Sequence, residues 1–305
     1  MIKRRALLKG GIAGAIALNW HLPGLAQSSL SSAELSPGIH LIQGAGCNVV
    51  LADLGDELLL IDGGLASSAD MLLQEIAGLA PGKSITTLFN TNWRAEHCGL
   101  NYELGKDCAI LAHENTRLWQ TADPYVEWEN KYYQPMPEAA QANQGFYTGN
   151  TIQLGHEELT YRHIPKAHTD GDICLHFREA DVLVLSDLLV VNRFPIIDYS
   201  TGGWIRGFRD ASRMLLELAG EDTVLIPAQG PVQNRSALER QAGMLAEAWD
   251  AVVAAFQNGF SLEEFQASNP MAAYTGERGD PTLFLQQVYR STWYHVTERA
   301  VPNVI

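Results

Sequence analysis

The sequence predicts an α/β sandwich, with helices covering the outer faces of two sheets. Three observations lead there. Runs of strands are followed by an amphipathic helix, and this order occurs twice along the chain. The strand runs are short, apolar and punctuated by glycine. The chain has 305 residues, 46% of them hydrophobic, and a mean hydropathy near zero, which suffices to bury one large core.

Residues 1–26 stand apart from the rest. MIKRRALLKG carries Lys3, Arg4, Arg5 and Lys9 and no acid, GIAGAIAL is apolar, and Gly24-Leu25-Ala26 precedes a serine-rich stretch. That is the charged region, apolar run and small-residue cleavage site of an export signal. RRALLK resembles the twin-arginine signal, with Leu7 where that pattern usually has phenylalanine. The expected location is therefore the periplasm. The apolar run is too short to span a bilayer. Residues 27–305 are expected to form a single domain with a C-terminal helical extension.

Within that domain, Ile39–Ile42, Asn48–Leu54 and Glu57–Asp62 read as a meander of strands. ASSADMLLQEIAGLA has apolar residues at helical spacing and stops at Pro81-Gly82. SITTLFNTN reads as a strand that runs straight into TNWRAEHCGLN, residues 91–101. A short helix through Tyr102 and Leu104, a strand at Cys108–Ala112 and a helix from about Glu114 follow. Residues 121–148 contain YVEWENKYY and two prolines and show no period, so they read as an irregular excursion. Strands resume at Thr151–Leu154, Leu159–His163, Ile173–Arg178 and Val182–Leu185, and TVLIPAQG supplies a last one. Helices from Ser236 to Gln257 and Pro281 to Val296 end the pattern.

The formal net charge is −14; without residues 1–26 the chain has 17 basic against 35 acidic residues, a net of −18. Such a surface repels nucleic acid and anionic lipid, so neither is an expected partner. A small-molecule substrate or a small anion is the expected ligand, and no signal points to a protein partner. Cys47, Cys98, Cys108 and Cys174 contain no C-x-x-C spacing. In an oxidising compartment they allow three pairings, and buried free thiols are the simpler expectation.

Polar, metal-capable residues recur where strands end: Glu96 and His97, then His168 in PKAHTDGD, Asp187 in VLSDLL and Gln229 in IPAQG. Two histidines and two carboxylates from separate loops suit a divalent ion such as zinc, iron or manganese. Lone histidines at turns are more often satisfied by hydrogen bonds. Cys98 reads as a ligand, a nucleophile or a buried thiol. Trp93, Trp128, Tyr132 and Tyr133 either line a pocket above these residues or pack down on the domain. His163 and His176 flank strands and read as structural. There is no G-x-S-x-G, phosphate-binding loop or dinucleotide fingerprint.

Taken in order, these motifs resemble those of the metallo-beta-lactamase superfamily, over about Gly38 to Ala272. LLLIDGG resembles its strand and Asp-Gly turn, NTNWRAEHCGLN its Asn-Thr-His-x-His-x-Asp-His-x-Gly-Gly-Asn, and AHTDGD, SDLL and IPAQGPV its later metal motifs. AHENTR and the FPIID–STGG stretch agree as well. The resemblance implies a four-layer αβ/βα sandwich and a hydrolase lineage. Carried over by position, it retains His97, His168 and the bridging aspartate Asp187, and turns the neighbouring aspartate into Glu96. It replaces the first, second and last histidines by Asn92, Arg94 and Gln229.

In the family two dications acidify a water to give a nucleophile. Here the permanent charge of Arg94 opposes a dication. The resemblance therefore implies at most one zinc or other divalent ion, at Glu96, His97 and Asp187 with Gln229 or water beside them. A metal-free protein is favoured, with the Arg94 guanidinium where the first zinc would sit, paired to Asp187. Two functions remain open. One is a pseudoenzyme, metal-poor and with weak or lost hydrolysis, whose pocket holds a small anion through Arg94 or serves stability alone. The other is a divergent one-metal hydrolase of ester, thioester or amide bonds, with Asp187 and His168 as its catalytic pair.

Overall fold

A computed structural model describes residues 30–55 and 58–298. Strands β1 (Ser31–Ser36), β2 (Ile39–Gln43), β3 (Val49–Ala52) and β4 (Leu58–Ile61) form an antiparallel meander. Helix α1 (Ala69–Leu79) carries the chain to β5 (Ile85–Phe89), which runs parallel to β4. After α2 (Asn101–Leu104), β6 (Ala109–His113) adds in parallel and leads into α3 (Glu114–Thr121). A small ribbon of β7 (Tyr125–Val126) and β8 (Lys131–Tyr132) follows. Then β9 (Gln144–Phe146) completes a seven-stranded sheet in the order β1-β2-β3-β4-β5-β6-β9.

The second sheet takes its strands in sequence order: β10 (Gly149–Leu154), β11 (Glu157–His163), β12 (Ile173–Phe177), β13 (Val182–Ser186) and β14 (Val224–Pro227). Only its last pair, β13 and β14, is parallel, because α4 (Ile205–Leu218) crosses between them. The chain ends in α5 (Arg235–Gln257), α6 (Leu262–Ser268), α7 (Thr275–Arg278) and α8 (Thr282–Glu298).

Strand alternation creates the layers. Every residue of β4 is buried, but successive side chains leave opposite faces. Leu58 and Leu60 pack with Leu72 and Ile76 of α1, whereas Leu59 and Ile61 meet Leu175, Phe177 and Val184 of the other sheet. In β13 the same alternation sends Leu183 and Leu185 to Phe208 of α4 and Leu245 of α5, and Val182 and Val184 to the space between the sheets. Full burial of each such side chain contributes about 1.5–3 kcal/mol. The result is helix, sheet, sheet, helix: the four-layer αβ/βα sandwich.

The structure differs from the sequence reading in several places. β1 was not expected: SSAELS lacks apolar alternation, and its ladder with β2 holds it as a mostly exposed edge. α4 was not expected either, although Ile205, Phe208, Ala211, Ser212 and Leu215 form a buried stripe along it. The excursion at 121–148 is only partly irregular, since it contains the β7–β8 ribbon and β9. The segment 1–26, expected to be an export signal, and Glu57 lie outside the described residues. No helix among those described is long and apolar enough to cross a membrane. All four cysteines are buried free thiols.

Loops from both sheets are laced together at one end. Ile173 N donates to Thr91 O (3.0 Å), Asn48 N to Ala228 O (2.7 Å) and Ala228 N to Ser186 O (2.8 Å). The residues following β4, β5, β13 and β14 therefore share one rim, at the carboxyl ends of parallel pairs where α/β sheets hold their sites.

Candidate functional site

The rim is built around Asp62. It follows β4 directly, is 1% exposed and has φ 66°, a left-handed backbone that costs a non-glycine residue about 1–3 kcal/mol. That turn brings its carboxylate under the next loop. It accepts from Thr91 N (2.8 Å) and from the Thr91 hydroxyl (2.8 Å). Its Oδ2 lies 2.9 Å from His97 Nδ1. Glycine makes this approach feasible. At Gly99 an added Cβ would lie 2.3 Å from the Leu65 carbonyl carbon and 2.4 Å from Ala66 N. Without one, Gly99 N donates to Gly64 O (2.8 Å) and Gly63 N to His97 O (2.8 Å). The 91–101 loop is thus clamped onto the Asp62 turn.

His97 is fully buried and lies between two carboxylates. Its Nδ1 faces Asp62, and its Nε2 is 2.8 Å from Asp187 Oδ2. Carboxylates only accept, so both ring nitrogens carry protons and the ring is an imidazolium. Burial by itself would lower its pKa. The charge of Asp62, with Cys47 and Asp187 behind it, outweighs burial and holds it well above the usual histidine value. The complementary effect appears at Asp187, which burial would raise but His168 and His97 hold far below the usual carboxylate range.

Asp187 follows Ser186, another left-handed residue (φ 50°). It accepts a second bond on Oδ2 from the Asn92 amide (3.0 Å). The amide orientation of Asn92 is fixed by its other end, where Oδ1 accepts Arg94 N (2.9 Å). Asn92 therefore turns donors, not a lone pair, toward the aspartate. His168 Nδ1 donates to Ile196 O (3.0 Å), which leaves its buried Nε2 facing Asp187 at 3.8 Å without a hydrogen bond.

The expected pairing of Arg94 with Asp187 is not what forms. Arg94 is 8% exposed and makes an ion pair with Glu129, with Asp198 3.7 Å away. Three rings surround its guanidinium: Trp93 at 5.3 Å, Trp128 at 5.5 Å and Tyr133 at 5.2 Å. The reason lies in competition. The 121–148 excursion supplies a carboxylate and an aromatic cage, whereas Asp187 is already satisfied by Asn92 and His97. Burial would lower the Arg94 pKa, and Glu96, Asp198, Tyr133 and Glu129 together keep it raised. Trp128 and Tyr133 serve this cage, while Tyr132 is 68% exposed and packs on Tyr125.

Neither of the remaining expected ligands is hydrogen-bonded to the cluster among the described residues. Glu96 is half-buried, acts on Arg94 through its charge, and makes no hydrogen bond to His97, His168 or Asp187 among the described residues. Gln229 is exposed and donates to Gly46 O (3.1 Å). Cys98 is buried, and burial pushes its thiol up to about 12, so it is a poor nucleophile. His163 and His176 make local bonds, to Asp170 O (2.8 Å) and Asp181 (3.2 Å).

Sequence reasoning did not single out Asp62, Cys47, Glu129 or Asp198. The available signal was LLLIDGG, where an acid directly follows an apolar strand and so has to be buried with a partner. Cys47, Asp62 and His97 offer ligand atoms within 4.8 Å of one another and form a candidate three-residue metal group. Their exposures are 3%, 1% and 0%. That closure suits a structural ion and leaves no open position for a reacting water. An ion there would also have to replace the Asp62–His97 bond. The residues do not fit a catalytic metal pair: Asn92 presents donors, Arg94 faces its cage, and His97 has no free lone pair.

The family model of the metallo-beta-lactamase superfamily matches residues 42–228. Comparison with curated proteins returns no match. Among solved structures, a metallo-beta-lactamase from Pontibacter korlensis superposes with a TM-score of 0.57 at 16% identity, over 71% of this chain and 99% of that one. The DIM-1 metallo-beta-lactamase gives 0.57 at 14% identity, over 72% and 98%. A stereoselective inverting sec-alkylsulfatase from Pseudomonas sp. gives 0.65 at 14% identity and covers 90% of this chain, which spans 52% of that protein. At such identities these likenesses speak to the fold alone, while the match to the family model covers more than half of the sequence. The chain belongs to the metallo-beta-lactamase superfamily.

Proposed function

We propose that this is an exported protein of hydrolase lineage in which an internal salt bridge stands where the superfamily generally holds zinc. On this reading it is metal-poor, and its metal-dependent hydrolysis is weak or lost. One observation carries the reading: both nitrogens of His97 are engaged by carboxylates, at 2.9 and 2.8 Å. An imidazolium in that position supplies the positive charge Asp187 needs and offers no electron pair to a cation. The caging of Arg94 speaks against an anion site at that guanidinium. The twin-arginine-like segment at residues 1–26 supports export to the periplasm.

A second reading has one observation in its favour: His168 Nε2 is buried, faces Asp187 at 3.8 Å and makes no hydrogen bond, which leaves a ring nitrogen to hold one metal beside Asp187. It describes a divergent one-metal hydrolase of ester, thioester or amide bonds. Elemental analysis of the purified protein separates the two. The expected result is zinc, iron and manganese far below one equivalent, with p-nitrophenyl acetate and nitrocefin hydrolysis unchanged by chelator. One equivalent of tightly held metal, together with chelator-sensitive turnover, would establish the second reading and end the first.

A further inference from the structure

A separate concavity of about 270 Å³ lies beside the 91–98 loop, and none of Asp62, His97, His168 or Asp187 lines it. Rings and sulfur make up half of its lining, from Trp93, Tyr102, Trp119, Tyr133, Cys98 and Met136, and Ser67, Gln120 and Gln134 supply further polar groups. The polar ends of three of those rings are engaged elsewhere. Trp93 Nε1 donates to Thr201 (3.1 Å), Trp119 Nε1 to Asp170 (2.7 Å) and the Tyr133 hydroxyl to Glu129 (2.5 Å). The Gln120 amide, also on the wall, donates to Asn90 (3.1 Å) and accepts from Ala142 N (2.8 Å). Inside the exposed rim of Ser67, Tyr102 and Gln134, a charged guest would give up its hydration without a compensating partner. An aromatic guest would gain edge-to-face contacts with the rings and favourable contacts with the sulfurs. The entrance is mixed, with Leu65 and Tyr102 38% and 50% exposed beside the exposed Ser67 and Gln134. An apolar cavity of about 150 Å³ is enough to hold benzene, so this one has room for a substituted ring.

We propose that this pocket is a binding site for an uncharged, ring-bearing small molecule. It does not depend on whether the chain holds metal. The sequence had marked Trp93 and Tyr133 as candidate pocket residues, and they line this cavity as well as the Arg94 cage.

Titration of the full chain with p-cresol, followed by saturation-transfer NMR and calorimetry, tests the proposal, with benzoate as the charged counterpart. p-Cresol is expected to bind saturably and roughly tenfold or more tightly than benzoate, the difference set by the cost of burying an unpaired charge. Ala95 and Ser67 are exposed at the mouth of the cavity. Ala95→Phe and Ser67→Phe should each weaken p-cresol by a similar factor with the unfolding midpoint unchanged. If Ala95→Phe does not fold, Ser67→Phe decides alone. The proposal is overturned by no saturable p-cresol binding, by benzoate binding as tightly, or by p-cresol binding that the folded variants leave unchanged.

Discussion

His97 is the residue on which the rim depends. It joins the buried Asp62 after β4 to the part-buried Asp187 after β13, carboxylates from different sheets. Removing the cation leaves Asp62 buried without its counter-charge and takes from Asp187 one of its two hydrogen-bond donors. The cost of breaking a buried pair in this way is about 3–5 kcal/mol. His97→Ala should therefore lower the urea-unfolding free energy by that amount. Gln229→Ala, which removes one exposed bond to Gly46, should stay within about 0.5 kcal/mol of the parent. Equal, small effects at both positions would mean that His97 does not carry a buried charge. The sequence made His97, His168 and Asp187 legible because family motifs mark them. It left their partners hidden, since whether Arg94 turns to Asp187 or to Glu129 depends on where the excursion folds.

Among the elements, α3 shows how a single ring sets a pH response. His113 ends β6 and caps α3, its Nδ1 accepting from Asn115 N (3.1 Å) while Nε2 donates to Tyr147 O (3.1 Å). The cap needs an unprotonated Nδ1. Burial, reinforced by His163 stacked at 3.5 Å, lowers the His113 pKa to about 4. Folding therefore favours the neutral ring. Its contribution is present above the unfolded value near 6.5 and is lost as the pH falls toward 4. At about 1.4 kcal/mol per unit, the loss amounts to roughly 2–3 kcal/mol. His113→Asn keeps an acceptor for the cap but cannot titrate. Between pH 7 and pH 4 the parent should lose about that much more stability than the variant, measured by urea unfolding at each pH; parallel losses would remove His113 as the cause. Most strands and long helices could be read from period alone, because burial on one or two faces writes that period into the sequence. β1 and α4 could not. β1 is mostly polar and held chiefly by its ladder, with Ser32 bonded to Glu75 and Leu35 packed between the sheets. The buried stripe of α4 starts after Trp204 without a capping side chain.

At the scale of the whole molecule, two sheets bring loops far apart in sequence to one rim, and the fold leaves open what those loops hold there. On the sequence resemblance, Asn92, Arg94 and Gln229 take the places of histidines in the superfamily pattern, so substituting all three tests how far the scaffold alone determines metal binding. The Asn92→His, Arg94→His, Gln229→His variant supplies the missing imidazoles and lets Asp187 exchange the His97 proton for a cation. Zinc uptake approaching one equivalent or more is the expected outcome, together with chelator-sensitive ester hydrolysis above the parent's level. The same variant has a structural cost. Arg94 is the partner of Glu129 and lies 3.7 Å from Asp198, which is fully buried. Its loss leaves those carboxylates uncompensated at about 3–5 kcal/mol, and the 125–133 segment should exchange its amide hydrogens faster before zinc is added. Adding Glu129→Gln to the triple variant should recover part of that stability, because it removes one of the stranded charges without touching the rim. If the triple variant takes up no zinc although hydrogen exchange shows the rest of the sandwich intact, then the rim geometry itself, held by Asp62, Thr91 and Ser186, excludes the ion. Three substituted ligand positions would then be too few to explain a metal-poor protein.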